Sequence, residues 1–192
     1  MDRAPSPPPA DPGRLEQMFR THRGVVWRLL RARGLAPDAA ADATQEVFLV
    51  AAQRLADIEA GKERAFLIGT ALRVARATRR TRARLQLEDD LDVVNENETT
   101  LDEKRSALDM IGKVLSRVDP MLVDAFLLFE IAEFSGVEIA ELLGVPPGTV
   151  ASRVRRAREA FREATQRIER KLRREQGEVE DKEDEESKEG SS

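Results

Sequence analysis

SGVEIAELLGVPPGTVASRVRRAREAF, residues 135–161, is the stretch whose reading decides the fold. Ser135 and Glu138 have the spacing of a capping box. The Ser oxygen can accept from the N–H of Glu138 while the Glu carboxylate reaches back to the cap. Ile139, Ala140 and Leu143 follow as one apolar stripe. Gly144 then stops the helix, since glycine enters the left-handed conformation at low cost. Pro146 and Pro147 restart the chain, because a Pro at the first helical position gives up an N–H that had no partner. In the second helix Val150, Val154, Ala157 and Phe161 share a face. Thr149, Ser152, Arg153, Arg155, Arg156 and Arg158 occupy the other. Two readings fit: a helical hairpin with a solvated basic face, or a helix-turn-helix. A short helix, a turn with Gly and a longer basic helix favour the second. Short polar residues at the helix start, with arginines behind them, suit a DNA major groove.

Composition narrows the function. The 192 residues contain 35% charged and only 4% aromatic residues, which favours helices with thin cores. With no Cys, a disulfide scaffold, a Cys-ligated zinc and a thiol nucleophile are excluded, and a reducing cytoplasm fits. The single histidine, His22, makes a His-based metal site or a Ser-His-Asp triad implausible and reads as structural. No apolar run is long enough to span a membrane, and the N-terminus has no apolar signal core. The expectation is a chain with no enzymatic activity, catalytic residues, metal or cofactor. The net charge of −4 conceals an asymmetry. Nine acidic residues and two lysines after Arg174 give that tail −7, so the preceding 174 residues carry +3. A basic body with an acidic tail points towards nucleic acid.

Outward from residues 135–161, the spacing predicts an all-α protein of two small helical domains joined by an acidic linker. Residues 1–11 are Pro-rich and read as disordered. The first domain, 12–84, opens with a helix from Pro12 to Gly34. Leu15, Met18, Phe19, His22, Val25, Val26, Leu29 and Leu30 form its stripe, with Trp27 packed beside it. A second helix runs from Pro37 to about Ala56. Ala43, Val47, Val50 and Ala51 point inward, and Asp42, Gln45, Glu46 and Gln53 outward. After a polar loop at 57–63, a third helix buries Phe66, Leu67, either Ala71 or Leu72, and Ala75. It then turns basic through Arg73, Arg76, Arg79, Arg80, Arg82 and Arg84, with no acidic residue among them. A run of this kind can be a solvated face; without neutralising carboxylates it favours a polyanion partner.

Residues 85–103 hold eight acidic residues and no basic one and read as the linker. The second domain, 104–174, begins with a helix carrying Leu108, Ile111, Leu115 and Val118. Asp119–Pro120 then caps PMLVDAFLLFEIAE, a helix apolar nearly all round and therefore central to this domain. Residues 175–192 read as an acidic disordered tail.

Three segments in this order resemble the RNA polymerase sigma factors of the extracytoplasmic-function group. AELLGVPPGTVASRVRRARE (140–159) is similar to the helix-turn-helix of region 4. DATQEVFLVAAQRL (42–55) follows the D-x-x-QE-x-FL pattern of region 2, and ALRVARATRR (71–80) is similar to its end. The resemblance spans roughly residues 14–170. It implies a factor that binds core RNA polymerase and directs promoter recognition, melting and initiation. Asp42, Gln45, Glu46 and Phe48 match the segment that docks on the β′ clamp helices, and region 4 implies contact with the β flap. Loop 57–63 and the helix after it, with Arg64, Arg73, Arg76, Arg79 and Arg80, match the part that captures and melts the −10 element. Thr149, Ser152, Arg153, Arg155 and Arg156 match the helix that reads the −35 element. The acidic linker matches the segment threaded towards the polymerase cleft, and an anti-sigma factor is a further implied partner. The chain departs from the family pattern in AFLIGTALRVA (65–75), which lacks the usual Trp, at Ala151 in place of Lys, and at Pro146 in place of a Ser cap. The alternative reading is a free-standing helix-turn-helix regulator whose first domain is a sensor or dimeriser.

Overall fold

The computed structural model describes residues 12–88 and 103–189, with side chains over 13–80 and 108–170. Seven α-helices account for nearly all of it: α1 (Pro12–Ala32), α2 (Pro37–Gln53), α3 (Glu63–Glu88), α4 (Glu103–Leu115), α5 (Pro120–Glu130), α6 (Gly136–Leu143) and α7 (Pro147–Glu189). A single 3₁₀ turn covers Leu55–Asp57, and the described residues contain no strand.

The first three helices pack on one another, and α5, α6 and α7 form a second group. Helix α4 lies against both α1 and α7, so it bridges the two halves. Each element follows from its local sequence. Pro37 starts α2 directly, with no side-chain cap on Ala36. Asp119 caps α5, its Oδ1 accepting from the N–H of Met121 at 2.7 Å. The apolar stripes then merge into one core. Val26, Leu29 and Leu30 of α1, Val47 of α2 and Leu67 and Ile68 of α3 are fully buried, as are Leu127 and Leu128 of α5 and Ile139 of α6. Both Ala71 and Leu72 are buried, while Phe66 is half-buried. Small residues permit the closest approach: a Cβ on Gly112 of α4 would lie 3.1 Å from the Cα of Gly34.

The structure differs from the sequence reading at several boundaries. Helix α3 continues through Glu88 and α4 begins at Glu103, so both ends of the expected linker are helical. Leu, Gln and Glu at 85–88 are good helix formers and extend a helix that is already nucleated. Extension of a nucleated helix applies also to the acidic tail, expected to be disordered from residue 175: α7 runs on to Glu189. Residues 1–11, 89–102 and 190–192, on which the rest of those readings fall, lie outside the described residues. Phe19, placed on the core stripe, is 40% exposed instead.

The helix-turn-helix forms as its spacing predicts. The N–H of Ser135 donates to Glu138 Oε2 at 2.8 Å, and the N–H of Glu138 donates to Ser135 Oγ at 3.3 Å. Gly144 closes α6 at φ 64°. Hydrogen bonding from Ser135, through its side chain and then its backbone, holds the Glu138 carboxyl below its usual 4.5 against a small desolvation cost. A depressed carboxyl favours the fold above its unfolded value, and that contribution is lost as pH falls through the folded value. Glu138→Gln should therefore lower the urea midpoint near neutral pH. The gap from the unsubstituted chain should narrow as pH drops below about 4.5. A gap independent of pH would rule out the charged capping bond.

Candidate nucleic-acid and polymerase interfaces

Three surfaces carry the chemistry. The first is the exposed side of α7. Val150, Val154 and Ala157 are buried, and Phe161 stacks on Phe126 of α5 with centroids 5.5 Å apart. That packing turns Ser152, Arg155 and Arg156 to solvent and leaves Thr149 and Arg153 half-exposed. The Ser152 hydroxyl donates to the Thr149 carbonyl at 2.9 Å. Arg155 pairs with Glu159 one turn on, at 3.1 Å and in the open, where such a pair is weak. Arg158 behaves differently. Its Nε donates to Glu130 Oε1 at 2.7 Å, and its guanidinium lies 5.0 Å from the Phe129 ring centroid. It fastens α7 to the end of α5. No described carboxylate pairs with Arg153 or Arg156.

The second surface is α3 and the loop before it. Arg14 of α1 braces that loop, donating to the Ile58 carbonyl at 2.7 Å and pairing with Glu63 at 2.7 Å. Desolvation raises the Glu63 carboxyl; the opposing hydrogen bonds from its own backbone N–H and from Arg14 prevail and lower it. Burial, followed by the nearby Arg64, pulls the half-buried His22 imidazole below its usual value, with Glu63 opposing. This favours a neutral packing residue. Arg73, Arg79 and Arg80 are exposed, and Arg73 donates to Thr70 Oγ1 at 3.0 Å. The other two basic positions are engaged. Arg64 lies 4.5 Å from the Phe134 ring centroid and donates to the Ala132 carbonyl. Arg76 pairs with Asp124 of α5. Phe66 packs partly on the core, with the Arg54 guanidinium 5.8 Å from its ring centroid.

The third surface is an open groove of about 950 Å³ between α1 and α2. Gln45 and Phe48 line it; Asp42 and Glu46 are exposed on the same helix but are not among its walls. Phe48 itself is nearly buried and meets Phe19 edge-on at 4.9 Å. Phe19, Trp27 and Leu49 complete the apolar wall, and Leu49 is 56% exposed. Sequence reasoning missed these three as a surface. The available signal was Leu49, an apolar residue outside the inward stripe of α2. It also missed Asp124, a lone acid in the middle of an otherwise apolar helix.

Comparison with known proteins agrees with this geometry. Residues 109–161 match the family described as sigma-70, region 4. No curated protein matches the chain. Among solved structures, CnrH in complex with the cytosolic domain of CnrY is 21% identical, covering 81% of this chain and 90% of that one at a TM-score of 0.61. The sigma factor RpoE in complex with the anti-sigma factor NepR, from Bartonella quintana, is 22% identical, covering 79% and 96% at a TM-score of 0.63. Residues 109–161 thus match the sigma-70 region 4 family, and the chain as a whole shares the fold of CnrH and of the sigma factor RpoE.

The two kinds of arginine on α7 should separate in binding assays on duplex promoter DNA. Arg156→Ala should weaken binding by about 1–3 kcal/mol at one base position if it makes a bidentate contact. An even loss across all sequences would make it a phosphate clamp. Arg158→Ala should instead lower thermal stability and leave sequence preference intact.

Proposed function

We propose that the chain works as a sigma factor: it binds core RNA polymerase and directs it to a subset of promoters, where it supports melting and initiation. The observation that carries this reading is a region 4 recognition helix with an exposed polar and basic face, in one chain with the basic helix α3. On this reading Thr149, Ser152, Arg153, Arg155 and Arg156 face the −35 element in the major groove. Arg64, Arg73, Arg76, Arg79 and Arg80 hold the −10 element, with a basic surface tracking the single strand. Asp42, Gln45, Glu46 and Phe48 meet the β′ clamp helices. The groove beside them supports a helical partner, since its walls are two helices lined by Phe19, Trp27, Phe48 and Leu49. Region 4 would rest on the β flap. The chain contributes no catalysis of its own and acts in the cytoplasm, where polymerase and promoter are found. An anti-sigma factor is a fitting regulator, because RpoE, which shares the fold, is seen with one.

The test is direct binding to core polymerase. Reversing Asp42 and Gln45 together to Lys should abolish co-elution with core polymerase in gel filtration. Both positions are exposed, so helical content should remain unchanged. Undiminished co-elution would remove α2 from the polymerase interface.

A further inference from the structure

The two halves meet through a set of polar contacts that the family resemblance does not use. Asp124, in the apolar helix α5, is only 3% exposed. Two arginines of the first half converge on it. The Nη2 of Arg33, just after α1, lies 2.7 Å from its Oδ1, and the Nη2 of Arg76 on α3 donates to its Oδ2. The Arg33 side chain is 7% exposed and that of Arg76 is 49% exposed. Nearby, Arg64 of α3 holds the Ala132 carbonyl and the Phe134 ring, and Arg31 of α1 pairs with Asp109 of α4. Every cation comes from the first half, and every acceptor from the second or from the bridging α4.

We propose that these contacts form a releasable lock: Asp124 holds the free chain closed, with Arg64 packed against the second domain and Arg76 held at its open edge, and nucleic-acid phosphate competes with Asp124 for Arg76 to open it. This deepens the sigma-factor reading and rests on it for what binds the opened face.

Charge balance supports release. Two guanidinium groups share one carboxylate, so the cluster keeps a net positive charge. The Arg33 guanidinium is drawn below its usual value by burial first; Asp124 opposes that, while Arg76 and Arg79 add to it. The carboxylate is also imperfectly served, since Arg33 meets its buried Oδ1 as an ion pair without well-aligned hydrogen-bond geometry. Buried ion pairs bear a large desolvation cost that their attraction repays only with full hydrogen bonding. An incompletely satisfied cluster is therefore a weak clasp. Arg76 is its accessible end, with half its side chain open to solvent. A phosphate reaching Arg76 removes one of the two cations holding Asp124 and gains a charge-assisted bond in exchange.

The chain contains no cysteine, so cysteines introduced at the exposed Gln53 of α2 and Arg162 of α7 can carry a dye pair on the full-length protein. Single-molecule energy transfer should show one compact population for the otherwise unsubstituted chain. Asp124→Asn and Arg76→Gln should each lower the closed-to-open ratio by about tenfold or more. Arg20→Gln, on an exposed surface pair, should leave it unchanged. A mixed-sequence single-stranded oligonucleotide should open the labelled chain, with an effect that weakens as salt rises. If Asp124→Asn unfolds the protein, Arg76→Gln decides alone. An Arg76→Gln chain as closed as its parent, or an oligonucleotide that binds without changing the transfer, overturns the lock. These readings need no polymerase. A chain that opens as described yet never binds core polymerase would sink the sigma-factor reading and leave the lock standing.

Discussion

One buried carboxylate governs how the two halves of this protein meet. Asp124 sits in a helix whose other central residues are aliphatic or aromatic, and it brings Arg33 and Arg76 to the same point. The remaining contacts between the halves are compatible with that anchor. Gly112 lets α4 pass against the backbone after α1, and Leu142 of α6 reaches the surface of α3 at Gly69. Apolar burial supplies most of the driving force for each half. It is not directional, however, and does not select one orientation between two helical groups. Ion pairs with defined geometry do.

That arrangement explains why the basic face of α3 is only partly open. Arg73, Arg79 and Arg80 face solvent, while Arg64 packs against the second half and Arg76, half open to solvent, is tied to Asp124. The recognition face of α7 is unaffected, because Arg158, rather than the predicted base-reading residues, fastens that helix to α5. The two proposed DNA-reading surfaces thus differ in availability within one molecule. Joining them in one chain also raises the effective concentration of each once the other is bound, so neither half needs high affinity alone.

Much of the fold was legible because its signals are local. The Ser135–Glu138 box, Gly144 and the Asp119–Pro120 start each act through the few backbone groups beside them, and each has the structure its spacing implies. The aliphatic stripes likewise found the core, as Val47, Leu67 and Val150 show. What escaped was tertiary. Period alone placed Phe19 inside, yet it forms the wall of a groove with Leu49 and Trp27. A run of charge marked Arg76, and the family resemblance marked Arg64, as nucleic-acid contacts, but neither signal says that Asp124 folds back on Arg76 or that Arg64 packs on the Ala132 carbonyl and the Phe134 ring. The acidic end of the chain misled for a different reason. Self-repulsion argues for disorder, whereas α7 enters that stretch already nucleated and continues to Glu189, through Glu, Gln and Lys but also past Gly177.

On the proposed function, this chain tells core RNA polymerase where to begin. The most direct measurement is transcription reconstituted from core polymerase and genomic DNA, with the new 5′ ends mapped. With the chain added, transcripts should start at a discrete set of sites that share upstream −10 and −35 sequences and that core polymerase alone does not use. No new start sites, together with no co-purification of the chain with core polymerase, would contradict the account.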